Sequence, residues 1–255
     1  MTGLEQLAIL AAGLGAGILT STVGVASLLS FPVLVALGIP PVVANASNTV
    51  GLIPAGLSGS FGYRAELREH PRVTVAVLVA CGCGAVAGAA LLLGLPSGVF
   101  EAVVPWLILF TCLLVGAQPR ISAWVRRRRT GPDAHRPRHL MSPITTVFAT
   151  LTGVYGGYFG AGSGVMMVAV LGFGTDLELR IVNALKTLAV LAGNLVAGAI
   201  FVVVAELDWS AIGLLALGSV FGGYVGARIG RRLPPTVFRV LVVLAGIIAA
   251  VAMLA

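Results

Sequence analysis

The sequence predicts an all-α polytopic membrane protein with two inverted repeats, each a broken-helix or re-entrant hairpin plus three transmembrane helices. Three observations lead there. Of 255 residues, 58% are hydrophobic and 10% charged, with a mean hydropathy of +1.04. A soluble domain carries about 25% charged residues, so this chain lacks the polar surface to dissolve. Apolar runs succeed one another along nearly the whole length, and a full span needs about 20 such residues. The chain also aligns with itself, half against half.

The runs fall at 4–20, 23–37, 42–62, 73–94 and 98–117; after a polar, basic stretch at 118–142 they resume at 143–160, 163–173, 182–204, 210–227 and 236–254. Residues 1–117 therefore read as a first membrane repeat, 118–142 as a basic cytoplasmic linker, and 143–255 as a second, inverted repeat. The first two runs of each half are short and joined by small, Gly-rich tips, so each pair reads as a hairpin. A single helix through 3–37 would be about 50 Å long, too long for one span. The opening Met1-Thr2-Gly3-Leu4-Glu5 has no basic region, so the first run reads as a retained segment and not a cleaved signal peptide.

At an offset of 140, Gly13, Gly17 and Gly24 match Gly153, Gly157 and Gly164. At 138, Asn45-Ala46 and Thr49 match Asn183-Ala184 and Thr187, and Gly84, Gly88 and Leu95-Pro96 match Gly222, Gly226 and Leu233-Pro234. Internal duplication explains such runs better than composition does.

Orientation comes from the basic residues. Sixteen residues are Lys or Arg, one of them Lys186, which leaves fifteen arginines. Arg120, Arg126–Arg129, Arg136 and Arg138 make 118–142 cytoplasmic. Counting outward with five segments per half puts every other arginine on the same side and Glu101, Glu206 and Asp208 on the opposite one. An odd count inverts the second half and places both termini outside. The net charge of +7 is thus a topology signal and not a nucleic-acid footprint.

The tips Thr20-Ser21-Thr22-Val23-Gly24 and Gly160-Ala161-Gly162-Ser163-Gly164 are the first candidate site. A half-helix starting at each offers free N–H groups and a positive dipole end to an anion, and Ser21, Thr22 and Ser163 add hydroxyls. Gly24, Gly162 and Gly164 leave room for the ligand. The competing reading is that these glycines only permit close helix contact. The second candidate is the pair Asn45–Thr49 and Asn183–Thr187, contributing Asn45, Asn48, Thr49, Asn183, Lys186 and Thr187. Lys186, the counterpart of Asn48, is the one basic residue inside an apolar run, and an ionisable group there is a functional candidate. Against it, Lys186 lies near the cytoplasmic end and can snorkel. The amides of Asn45, Asn183 and Asn194 are more often interhelical bonds than ligands.

All nine acidic residues (Glu5, Glu66, Glu69, Glu101, Asp133, Asp176, Glu178, Glu206, Asp208) fall in loops or at helix ends, so no proton or sodium carrier is evident. Enzyme readings fail. Gly56-Leu57-Ser58-Gly59 matches an intramembrane serine-protease pattern, but His70, His135 and His139 sit in cytoplasmic loops, away from any mid-membrane serine that needs a base. Cys81, Cys83 and Cys112 show no disulfide or metal-ligand spacing.

With these segments in hand, the chain resembles the sulfite exporter TauE/SafE family. The resemblance rests on GLGAGILTSTVG…FPVLVALGIPPVVANASNTV, GVYGGYFGAGSGVMM…VNALKTLAVLAGNLVAG and DWSAIGLLALGSVFGGYVGARIGRRLP. It implies a bacterial plasma-membrane permease for sulfite, sulfonates, thiosulfate or related sulfur anions, with no cofactor or metal. Its partners would be the anion, the lipid bilayer and, as the assembly allowed for, a second copy in a homodimer. The first tip departs from the family by being Thr/Ser-rich.

Overall fold

The computed structural model describes residues 2–22, 24–129, 140–229 and 235–254, without the side chains at 21–22, 125–129, 224–229 and 235–238. The hydroxyls of Ser21 and Thr22, the guanidiniums of Arg126–Arg129 and the linker segment 130–139 therefore lie outside the described residues.

Every described element is a helix, as backbone in an apolar medium requires when it cannot bond to water. The first half holds α1 (Gly3–Thr22), α2 (Ser27–Ala36), α3 (Pro41–Gly51), α4 (Ile53–Gly62), α5 (Arg64–Glu69), α6 (Pro71–Gly94) and α7 (Ser97–Arg129). The second holds α8 (Pro143–Tyr158), α9 (Ser163–Gly174), α10 (Leu179–Val204), α11 (Trp209–Ile229) and α12 (Pro235–Leu254). Four of them are long and apolar enough to cross a membrane: α1, α6, α7 and α10. α1, with 20 residues, reaches about 30 Å, so only its partner α2 is short.

Two boundaries differ from the sequence reading. The run 42–62 is two helices, because Leu52 both closes α3 and opens α4. Pro54, in the first turn of α4, lacks the N–H that would continue the ladder. α7 runs on to Arg129, past 117, since residues such as Gln118, Arg120 and Ala123 favour a helix even where they no longer favour lipid.

The helices pack in matched pairs. α1 lies along α11 as α8 lies along α6; α3 and α4 contact α11 as α10 contacts α6; α2 meets α12 as α9 meets α7. These contacts correct the register of the tips. Gly17 packs on Ser219, and Gly153 packs on Cys81, which is the residue 138 positions before Ser219. Gly17 therefore corresponds to Gly153, an offset of 136, one helical turn from the 140 that the glycines suggest. Gly222 on Leu14 and Gly84 on Thr150 give the same 136. At each of these crossings a Cβ would strike the backbone of the facing helix, so two helices meet there with nothing between them.

Candidate anion site

At the corrected register the two tips share a construction. Gly24 N–H bonds Leu19 O at 2.6 Å and Gly160 N–H bonds Tyr155 O at 3.1 Å. Such backward bonds close helix ends when a residue with positive φ follows. Gly24 (φ 83°) and Gly160 (φ 82°) supply it, in a region costly to residues with a Cβ. Three residues on, Ser27 opens α2 and Ser163 opens α9. Ser27 is thus the true counterpart of Ser163. Comparing Gly24-Val25-Ala26-Ser27 with Gly160-Ala161-Gly162-Ser163 could have revealed it in the sequence.

The tips converge. A Cβ on Gly164 would lie 3.1 Å from Gly24 O and 3.3 Å from Lys186 Cγ, and a Cβ on Gly24 would lie 3.0 Å from Lys186 Nζ. Around this point is a cavity that, with its mouth, encloses about 520 Å³. Its lining includes five pairs of equivalent positions: Gly24 and Gly160, Ala26 and Gly162, Ser27 and Ser163, Leu52 and Val190, Gly56 and Asn194. Thr20, Val25, Lys186 and Thr187 complete it. A smaller cavity of about 240 Å³ shares Ser163 and Val190 and reaches Cys81, Met167 and Gly193.

Lys186 is 8% exposed. The ion pairs among the described residues are Arg180 with Glu69 and with Glu178, so no carboxylate neutralises it. Burying a lone ammonium costs several kcal/mol, roughly 3–5 where a partner has been removed, and no carboxylate among the described residues offsets that cost at Lys186. Asn194 lies two turns further along α10 on the same face, at the i, i+4, i+8 spacing of Lys186, Val190 and Asn194. Among the described residues no hydrogen bond engages its amide or the Ser27 hydroxyl. The other hydroxyls are turned inward: Ser163 donates to Gly160 O (2.8 Å), Thr187 to Asn183 O (2.9 Å) and Thr20 to Ala16 O (2.9 Å).

α9 is aimed by its neighbours. Tyr155 hydroxyl donates to Ala161 O at 2.7 Å, and Thr111 Oγ1 lies 3.0 Å from that carbonyl and 2.8 Å from the Tyr155 oxygen. Gly162, at φ 78°, caps the helix against Thr111. Ser163 N–H bonds Gly160 O, and Val165 and Met166 share Gly162 O. The Gly164 N–H is the first-turn amide outside these bonds, beside Gly24 and Lys186.

Gly24, Gly162, Ser163, Lys186 and Thr187, from the sequence-predicted set, line the cavity, and Gly164 abuts it. Asn45, Asn48, Thr49 and Asn183 do not line it. Asn45 Nδ2 donates to Tyr158 O at 2.9 Å, Ser30 Oγ donates to Asn48 Oδ1, and Thr49 donates to Asn45 O at 2.9 Å. These bonds tie α3 to α8 and α2, which orients α3 and α4 beside the cavity. Ser27 is the polar lining group that the sequence reading missed, and Asn194 the one it weighed as an interhelical bond.

At the start of α10, Arg180 grips both Glu69 oxygens, at 2.6 and 2.8 Å, and joins the helix to α5. The guanidinium holds the Glu69 carboxyl below its ordinary range. Among the described residues no cluster of His, Cys, Asp and Glu is placed to hold a metal. Ser58 hydroxyl donates to Ala55 O.

The family model for the sulfite exporter TauE/SafE matches residues 9–253. A probable membrane transporter protein, ORF9, of a Sinorhizobium species is 27% identical over 94% of this chain and 88% of its own length. A probable membrane transporter protein of Haemophilus influenzae is 24% identical over 95% of this chain and 92% of its own. No solved structure matches the chain.

Proposed function

The chain belongs to the sulfite exporter TauE/SafE family of membrane transporters, and from that premise we propose that it exports sulfite or a closely related small sulfur oxyanion across a bacterial plasma membrane. The anion sits near the midplane in the central cavity, against Lys186, with Asn194, Ser27 and the first-turn amide of Gly164 as neutral donors. One observation carries this reading: a buried ammonium without a carboxylate partner, at the point where the two tips meet.

The paired contacts of the two halves support an arrangement as inverted repeats. The arginine distribution supports a cytoplasmic 118–142 linker with both termini outside. Alternating access then follows from rocking one half against the other around a fixed site. An anion leaving a cell that is negative inside needs no coupling ion, because the potential supplies about 2.3 kcal/mol per charge per 100 mV.

Sulfite-loaded proteoliposomes test this. Flux should rise as an imposed potential is made more negative on the side holding sulfite. Flux that ignores the potential and requires a pH or sodium gradient would refute the uniport. Ligand binding without any flux would identify a receptor or scaffold subunit.

A further inference from the structure

We infer that the central cavity selects the charge of its ligand: it takes a monovalent sulfur oxyanion, such as hydrogensulfite or a short alkanesulfonate, and discriminates against a divalent one of the same shape. This rests on the anion-transport reading and adds to it the ionisation state of the substrate.

The argument is a count of charge. Lys186 is the one ionisable side chain among the described residues lining the cavity, and it brings a single positive charge. The amino end of α9 adds about half a charge. Together they come to roughly one and a half, enough to neutralise a monoanion and short of a dianion. The remaining polar groups, Asn194 and Ser27, are neutral, and the walls at Leu52 and Val190 are apolar, so surplus negative charge would stay uncompensated where water does not screen it.

Among the described residues no second cation lines the cavity to make up the difference. Arg180, on the same helix, is held by Glu69 and Glu178 at 2.6 and 2.7 Å. Arg239 is on α12, with Gln118 of α7 beside it. The counterpart of Asn194 in the first half is Gly56, which packs on Leu191 and brings no side chain.

Methanesulfonate and sulfate make the test, being tetrahedral ions of similar size that differ by one charge. The purified protein is melted in detergent, at constant ionic strength and a mildly acidic pH that keeps sulfite as hydrogensulfite, with each ion in turn and with sulfite. Methanesulfonate and sulfite should raise the melting temperature at concentrations at least tenfold below those at which sulfate acts. Sulfate acting at equal or lower concentration overturns charge selection and leaves the anion site standing. Failure of every anion to shift the melt overturns both. An Asn194→Lys variant, which adds a second cation to the cavity, should move the preference toward sulfate by tenfold or more. An unchanged preference in a folded variant would also count against the inference.

Discussion

The two walls of the central cavity come from equivalent stretches of the two halves, yet they put different chemistry into it. On one side α10 runs unbroken through 26 residues and presents Lys186, Val190 and Asn194 on one face. On the other, the same stretch is interrupted at Leu52 and presents Leu52 and Gly56. The counterpart of Lys186 is Asn48, which is 1% exposed and receives the Ser30 hydroxyl. One wall carries the charge, and the other brings an interrupted helix and small, apolar positions. The broken wall suits movement, because a helix already interrupted at a proline loses fewer backbone bonds when it bends.

The largest way to break this comparison is to fill the space between the walls. Gly24→Leu forces a left-handed residue to carry a side chain, at about 1–2 kcal/mol, and drives that side chain into the Lys186 ammonium. Sulfite flux should fall by two orders of magnitude or about that, with a lowered melting temperature; wild-type flux would show that Gly24 does not border the path. Removing the second polar group of the charged wall, Asn194→Leu, loses one hydrogen bond to a charged ligand, worth about 1.5–3 kcal/mol. Apparent affinity for sulfite should then drop roughly tenfold or more at unchanged thermal stability, measured by flux against concentration.

Asn48→Leu sharpens the contrast, since the same substitution on the opposite wall should leave affinity within about a factor of two and instead lower stability by about 1–2 kcal/mol. A variant that lost affinity as Asn194→Leu does would place Asn48 on the anion after all. The smallest effect is at the Arg180–Glu69 clasp. The carboxyl of Glu69 titrates below its ordinary range in the folded protein, so its contribution is complete above the unfolded-state value and fades as pH falls through the folded one. Acid melts of Glu69→Gln should therefore lack the small acid-side loss that this group adds to the parent, while the two proteins keep the same neutral-pH flux.

Much of this was legible in the sequence, because hydropathy and the placement of charge act on whole segments and survive an error of a few residues. The tip register was not. Gly13 and Gly17, like Gly153 and Gly157, stand one turn apart, so a shift of four residues lays glycine on glycine and leaves the match looking sound. The facing backbones at Ser219, Cys81, Leu14 and Thr150 distinguish the two registers. That shift hid Ser27 behind Ser163. The asparagines show the opposite limit. Asn45 and Asn48 have the chemistry of ligands, but their bonds to Tyr158 and Ser30 come from other helices and leave no local signature. Lys186 was visible as the one basic residue inside an apolar run.

The most direct test of the account is Lys186→Met, which keeps the length of the side chain and removes its charge. In liposomes loaded with sulfite, the variant should fold, melt no lower than the parent, and lose flux by a factor on the order of a hundred, with Lys186→Arg recovering part of it. Sulfite flux equal to the parent's in the Met variant would remove the ammonium from the transport path and contradict the account at its centre.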